Sequence, residues 1–280
     1  MDGDPVLRAA ACQLRIDIDA PTPLEEIERT VADAAGAGAR LIVLPELALS
    51  GYVFRSGDEL EELAERPDGR TAAFAARVSA EHGCVLVAGF PERDGAHVCN
   101  SAVIADRGEV RGIYRKVHLW DEEKLLFTPG DGPPLVVDTS LGRVGVMICY
   151  DAEFPEWVRR AAQDRVDVLA VPVNWPLMPR PDGQVAVEVA KIRAAAAAYR
   201  VPMVVADRCG RERGTDWVGG SLVADAGGYL LAGPATTDGT AAAATVIADI
   251  DLRDGRCKAL TRQAHVWGDR RPALYGDDDR

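Results

Sequence analysis

Cys149 closes the apolar run Val144-Gly145-Val146-Met147-Ile148 and opens the segment Tyr150-Asp151-Ala152-Glu153-Phe154-Pro155-Glu156. The pattern is a buried strand giving way to a helix start, a natural place for a nucleophile. Free N–H groups at a helix N-terminus lower a thiol pKa from its usual value of about 8.5 and stabilise a developing oxyanion. Taken alone the position is ambiguous, because free cysteine is among the most buried residue types and packs as a small hydrophobe. Two further polar residues follow apolar runs directly: Leu41-Ile42-Val43-Leu44 leads into Pro45-Glu46, and Val110 to Tyr114 leads into Arg115-Lys116. In a sheet-based fold, strand ends distant in sequence converge on one crevice. A carboxylate whose pKa is raised by burial can take a thiol proton, and an ammonium can neutralise a tetrahedral oxyanion, so Glu, Lys and Cys suffice for acyl transfer. Glu46 or Lys116 by itself reads as readily as half of an ordinary ion pair.

The elements that must position these residues alternate short strand and helical stretch. Val6 to Gln13 reads as a strand, and Pro23 to Gly38 carries Leu24, Ile27, Val31 and Ala35 at helical spacing. Leu41 to Leu44 and Val85 to Ala88 read as strands, with a helical stretch from Thr71 to Glu81 between them. Ser101 to Asp106 and Val110 to Tyr114 flank Arg107-Gly108-Glu109 as a hairpin. Beyond Cys149 the pattern predicts a helix over Glu156 to Gln163, strands at Val168 to Val171 and Met203 to Ala206, and an Ala-rich helix from Val185 to Tyr199. A second hairpin brackets Gly227-Gly228, and Thr245 to Ile250 supplies a last strand. Hairpins alternating with helical crossovers predict an α/β fold in which two mixed sheets pack face to face with helices outside. No low-complexity linker or solenoid repeat divides the chain, so residues 1–260 read as one domain, and the charged segment 261–280 reads as a tail that wraps a surface or a partner subunit.

Composition narrows the function. Of 280 residues 48% are hydrophobic and 27% charged, which describes a globular chain. A formal net charge of −12 argues against nucleic acid and against an anionic membrane as partners. The six cysteines, Cys12, Cys84, Cys99, Cys149, Cys209 and Cys257, show no C-x-x-C pair and no zinc-ligand spacing, so no metal is expected. Asp2 and Asp4 stand where a signal peptide carries positive charge, and no apolar run reaches membrane length, so a cytoplasmic protein with reduced thiols is expected.

Pro45-Glu46-Leu47, Tyr114-Arg115-Lys116-Val117-His118-Leu119, and Met147-Ile148-Cys149-Tyr150-Asp151 with Phe154-Pro155-Glu156 closely resemble the three signature segments of the nitrilase superfamily, the carbon–nitrogen hydrolases. The likeness runs from about Val6 to Ile250, in order and in spacing: seventy positions from Glu46 to Lys116, thirty-three more to Cys149. It implies a four-layer α-β-β-α sandwich and a triad with Glu46 as general base, Lys116 as oxyanion stabiliser and Cys149 as nucleophile, working without a cofactor through a thioester. The backbone N–H of Tyr150 is implied as a second oxyanion donor. A further family glutamate precedes a Phe-x-Pro-Gly element, here Phe127-Thr128-Pro129-Gly130; Glu123 has the matching distance, with Glu122 the adjacent alternative. Tyr150-Asp151 after the cysteine, where true nitrilases carry Trp-Glu, points to the amidase-like branch and a small amide substrate, with N-carbamoyl amines or N-carbamoyl amino acids as the alternative and a nitrile or a non-catalytic thiol sensor behind both. The resemblance also suggests Glu153 for a substrate ammonium, or simply as a carboxylate favoured at a helix N-terminus. Asn174 and Trp175 are expected at the pocket rim, and Tyr52 in the pocket or packed as core. It further implies a homodimer or larger homo-oligomer.

Overall fold

The computed structural model describes residues 6–236 and 242–275. In chain order its elements begin with β1 (Val6–Arg15), α1 (Leu24–Gly36), β2 (Leu41–Val43), α2 (Gly57–Leu63), α3 (Arg70–His82), β3 (Val85–Asp94), β4 (His97–Asp106) and β5 (Glu109–Arg115). They continue with α4 (Glu123–Leu126), β6 (Leu135–Thr139), β7 (Gly142–Val146), a 3-10 turn over Cys149–Glu153, α5 (Pro155–Gln163), β8 (Val168–Pro172), α6 (Val187–Tyr199) and β9 (Met203–Ala206). Three two-residue strands follow, β10 (Arg208–Cys209), β11 (Arg211–Glu212) and β12 (Thr215–Asp216), then β13 (Leu222–Ala224), β14 (Leu230–Ala232), β15 (Ala244–Asp251) and α7 (Leu252–Arg256).

Two mixed sheets result. The first runs β10-β1-β2-β3-β4-β5 with β15 antiparallel to β1; the second runs β14-β13-β9-β8-β7-β6. In each, a parallel core built by helical crossovers (β1-β2-β3; β7-β8-β9) carries antiparallel hairpins at its margin. Strand alternation explains the layering. Leu41 and Val43 of β2 join Ala9, Val85, Val144, Val146 and Ala170 in a core shared by both sheets. Ile42 and Leu44 point the other way, onto Ile27 and Val31 of α1 and Phe74 and Val78 of α3. Helices α5 and α6 cover the second sheet with Val158, Ala161, Val189 and Ile192, giving the four-layer α-β-β-α sandwich.

Local chemistry sets the connections. The β4–β5 turn has positive φ at both Arg107 (49°) and Gly108 (92°), the twist that a tight hairpin needs. Strand β3 runs to Asp94, six residues beyond the expected end at Ala88, because β4 pairs with it along its whole length. Pro91 is tolerated there because β2, the partner on the other side, ends opposite Val87. Helix α5 does not start at Cys149: Phe154 is extended ahead of Pro155, which occupies the first helical position, and a 3-10 turn fills the interval. Just ahead of the tail, Lys258 donates to the carbonyl oxygens of Tyr199 and Arg200, and within the tail the Trp267 ring lies 6.2 Å from that of Tyr199, so the described part folds back on the end of α6. The last five residues of the expected tail, with Gly276, lie outside the described residues.

Gly89 on β3 shows how closely the sheet holds the segment after β2. A Cβ there would come within 2.4 Å of Leu47 N and 2.9 Å of Glu46 Cα. Gly89→Ala is therefore expected to push Glu46 off its position and lower kcat/KM by about 100-fold, since a displacement of about 1 Å costs that much. Steady-state kinetics beside a thermal melt check this.

Candidate active site

The ends of β2, β5 and β7 bring Glu46, Lys116 and Cys149 together, and the first turn of α4 adds Glu123. Lys116 is fully buried. Its ammonium donates to Glu46 Oε1 at 2.7 Å and to Glu123 Oε1 at 2.8 Å, and Glu123 Oε2 is 2.7 Å away. Burial alone would drive the Lys116 pKa down, but the two carboxylates outweigh it and hold the value well above normal. Glu123 is inward and buried while Glu122 is exposed, so the α4 turn separates the two candidates. Asn100, which the sequence reading left outside its strand, lies inside β4. Its Nδ2 donates to Glu46 Oε1 at 2.7 Å and Glu123 Oε1 at 3.1 Å, and its carbonyl accepts from Lys116 N at 2.8 Å.

These contacts occupy one oxygen of Glu46 and leave the other, Oε2, buried with no hydrogen-bond partner among the described residues. Burial pushes the Glu46 carboxyl up to about 7, against the opposing pull of Lys116. Such a group is a base near neutrality. The Cys149 thiol, 8% exposed, is raised well above its ordinary value, first by burial and then by the negative charge of Glu46. The thiolate stabilisation expected from a helix N-terminus is thus not what this site provides, because α5 begins six residues downstream. The thiol rests protonated, and its hydrogen points to the Asn174 carbonyl, with Sγ 3.8 Å from that oxygen.

Cys149 holds φ = +48°, a left-handed conformation that costs a non-glycine residue about 1 kcal/mol or more. Asp151 over-determines it. The buried Asp151 carboxylate accepts from Ile148 N (3.2 Å), Tyr114 Oη (2.8 Å) and His118 N (2.9 Å), and lies 2.7 Å from His118 Nδ1. One side chain therefore ties the Cys149 turn to both flanks of Lys116. His118 in turn stacks on Phe154 at 4.0 Å, and Trp157 Nε1 donates to Tyr114 Oη at 3.0 Å.

A cavity of about 280 Å³ reaches this network through Tyr52 and Glu123, and Phe54, Trp120, Phe127 and Trp217 form its aromatic walls. Tyr52 donates to Glu123 Oε1 at 3.0 Å and meets the Trp217 ring edge-on at 5.4 Å. Its backbone N–H and that of Val53 bind the buried Glu212 carboxylate, which fixes the loop after Glu46. Trp175 is not at the rim: it is 1% exposed, its indole packed against Gly220, and the tryptophans that line the cavity are Trp120 and Trp217. Asn174 is also interior, 2% exposed, donating from Nδ2 to the Glu46 carbonyl at 2.9 Å. Glu153 forms an ion pair with Lys191 of α6, so its charge is met within the chain rather than left for a substrate ammonium. Tyr150 is half-buried, edge-on to Phe154 at 4.9 Å. A larger hollow, lined by Arg143, Arg165, Asp167, Arg256 and Trp267, contains none of these groups.

The charge states set a pH dependence. If Glu46 must be ionised to accept the thiol proton, kcat/KM on a neutral substrate rises tenfold per pH unit up to about 7 and levels off above it. A profile from pH 5 to 9 checks this; a limb near 4.5, the ordinary carboxylate range, contradicts it.

Comparison with known proteins identifies the family. Residues 8–257 match the family model described as carbon–nitrogen hydrolase. A nitrilase of Pyrococcus abyssi is 38% identical over 251 residues, covering 89% of this chain and 90% of that protein. An N-carbamoylputrescine amidase of Solanum lycopersicum is 33% identical, covering 96% and 94%. Among solved structures, an amidase from Nesterenkonia sp. AN1, in which acrylamide has added to the active-site cysteine, superposes with a TM-score of 0.75 at 26% identity, over 96% of this chain and 98% of that one. No helix among the described residues is long and apolar enough to cross a membrane, and no group of three or more His, Cys, Asp or Glu among them could hold a metal.

Proposed function

The chain belongs to the carbon–nitrogen hydrolase family, whose members hydrolyse C–N bonds other than peptide bonds, and from that premise we propose that it is a cysteine-dependent amidase acting on a small aliphatic or amino-acid-type amide. The observation that carries this reading is the division of labour at Glu46: Oε1 is held by Lys116 and Asn100, and Oε2 is left unpartnered in a buried site that also holds a protonated thiol. The thiol proton passes to Oε2 as sulfur bonds to the amide carbon, and the carbonyl electron pair moves onto oxygen. Lys116 and the N–H of Tyr150, in the first turn of the 3-10 element, stabilise that oxyanion. The proton then goes to the departing nitrogen, ammonia leaves, and a thioester remains on Cys149. Glu46 next takes a proton from water, the hydroxyl attacks the thioester, and the C–S bond breaks to return the thiol and release the acid. Glu123, with Tyr52 and Asn100, keeps Lys116 charged and in place.

A second reading has one specific support, the relative named N-carbamoylputrescine amidase: hydrolysis of an N-carbamoyl amine, which releases carbon dioxide as well as ammonia and the amine. Measuring both products from a panel of amides and carbamoyl compounds separates the two. Turnover confined to carbamoyl compounds overturns the amidase assignment. The same proposal includes a cytoplasmic homo-oligomer, which light scattering at micromolar concentration tests.

A further inference from the structure

Asn174 touches both Glu46 and Cys149 and keeps one polar atom unused. It lies two residues past β8, in a segment fixed on both sides: Val173 N donates to the Ala206 carbonyl at 2.8 Å, and Trp175 N donates to the buried Asp207 carboxylate at 3.0 Å. The Asn174 main-chain carbonyl is the one that the Cys149 thiol faces, with Sγ 3.8 Å away, and its Nδ2 donates to the Glu46 main-chain carbonyl at 2.9 Å. A carbonyl oxygen can only accept, so that bond fixes the side-chain amide with its nitrogen toward Glu46. The other branch, Oδ1, is buried in a residue 2% exposed and has no hydrogen-bond partner among the described residues. Native proteins leave few buried acceptors unpaired, so this one calls for a donor that the chain does not supply.

A primary amide brings such a donor. Its nitrogen must lie between Sγ, which bonds to the carbonyl carbon, and Glu46 Oε2, from which it takes a proton. The other carboxylate oxygens there are engaged: Glu46 Oε1 by Lys116 and Asn100, Glu123 Oε1 by Lys116, Asn100 and Tyr52, and Glu123 Oε2 by Trp120 N. Glu46 Oε2, once it carries the thiol proton, is a donor toward the nitrogen. Two unpartnered buried acceptors remain among the described residues, Asn100 Oδ1 and Asn174 Oδ1. Asn100 contacts Lys116 and the two carboxylates, whereas Asn174 contacts Glu46 and Cys149. We infer that Asn174 Oδ1 accepts a hydrogen bond from the nitrogen of the scissile amide and thereby makes the site select amides over esters. The inference rests on the hydrolase reading above. With one N–H bound to Oδ1, the lone pair that forms on nitrogen as the C–N bond breaks is turned away from that oxygen and toward the protonated Glu46 Oε2. The proton comes from Glu46, and Asn174 neither gains nor loses one. An ester oxygen has no hydrogen to donate, sets lone pairs against Oδ1 and leaves the buried acceptor unpaired.

The test compares amides with esters of the same acid: butanamide with methyl butanoate, β-alaninamide with its methyl ester, succinamate with monomethyl succinate, and butylurea with methyl N-butylcarbamate. Both members of a pair need the same thiol, so the amide-to-ester ratio of kcat/KM is independent of the fraction of enzyme that is folded. Asn174→Leu loses Oδ1 and Nδ2 together, while Asn174→Asp loses the Nδ2 donor and keeps an acceptor oxygen. Any disturbance of Glu46 through the lost Nδ2 bond is therefore common to the two variants, and the difference between them reads the acceptor. The ratio is expected to fall by about tenfold or more in Asn174→Leu and to stay near that of the parent in Asn174→Asp, even where both rates drop. A ratio unchanged in Asn174→Leu, or one that falls equally in both variants, reduces Asn174 to a structural support for Glu46; it overturns the inference and leaves the hydrolase reading standing. Failure of the parent enzyme to release ammonia from any of the amides or the urea overturns both.

Discussion

Replacing Cys149 by alanine is expected to lower kcat/KM for any amide substrate by about 10⁴-fold or more, while the protein still folds. The loss follows from covalent catalysis: without sulfur there is no thioester, and the remaining groups can only polarise a bound amide. The intact fold follows from the surroundings. The thiol makes one weak S–H···O contact, to Asn174, and is close to fully buried without a charged partner of its own. Deleting one sulfur costs about 1 kcal/mol, and alanine bears the same positive-φ penalty as cysteine at this position. Matched thermal melts and single-turnover assays of the two proteins check both halves.

Lys116→Met should be damaging twice. It removes the ammonium proposed to stabilise the oxyanion, for which a loss of about 10³-fold is expected. It also leaves Glu46 and Glu123, both buried, sharing Asn100 with no cation between them. Breaking a buried ion pair from one side costs about 3–5 kcal/mol. The penalty has a predictable sign with pH. Lys116 is what holds the Glu46 carboxyl down against burial, so its removal raises the folded-state value further above the ordinary carboxylate value. A carboxyl raised in the folded state favours folding when protonated and loses that advantage as pH rises. The variant should therefore be most destabilised near pH 8 and recover toward the parent near pH 5, which urea unfolding at the two pH values measures. A penalty that does not change with pH contradicts the charge account.

Much of the architecture is written in strand alternation, because each sheet buries both faces and its strands read as apolar runs. The residues at the ends of β2, β5 and β7 stand out for that reason: a charged group or a thiol directly after a buried run has few places to go except the crevice. Other features carried weaker signals. Glu122 and Glu123 are neighbours, and only the turn of α4 decides which is buried. Asn100 lies in mid-strand, one residue ahead of the strand expected from Ser101; the hairpin partner β3, extended through Pro91, is what continues the ladder past it. Helix α2 has a sequence signature, Ser56 with Glu59 three residues on, and Ser56 Oγ accepts from Glu59 N at 3.2 Å. Trp217, for which the sequence suggested no role, lines the cavity where Trp175 was expected, because the loop bearing Trp217 is shaped by the two-residue strands β11 and β12, too short for any periodicity, and because Gly220 leaves a space that the Trp175 indole fills. The thiol's raised pKa was hidden by the Phe154-Pro155 step, which delays α5 and withdraws its N-terminus from the sulfur.

The central claim, that Cys149 carries the acyl group, is tested most directly by acid-quenching the enzyme within the first turnover of an amide and mapping its peptides by mass spectrometry. The account predicts a mass increase of one acyl group on the peptide containing Cys149, none on the peptides of the other five cysteines, and no increase in Cys149→Ala. Ammonia release without an adduct, or an adduct on any other residue, contradicts it.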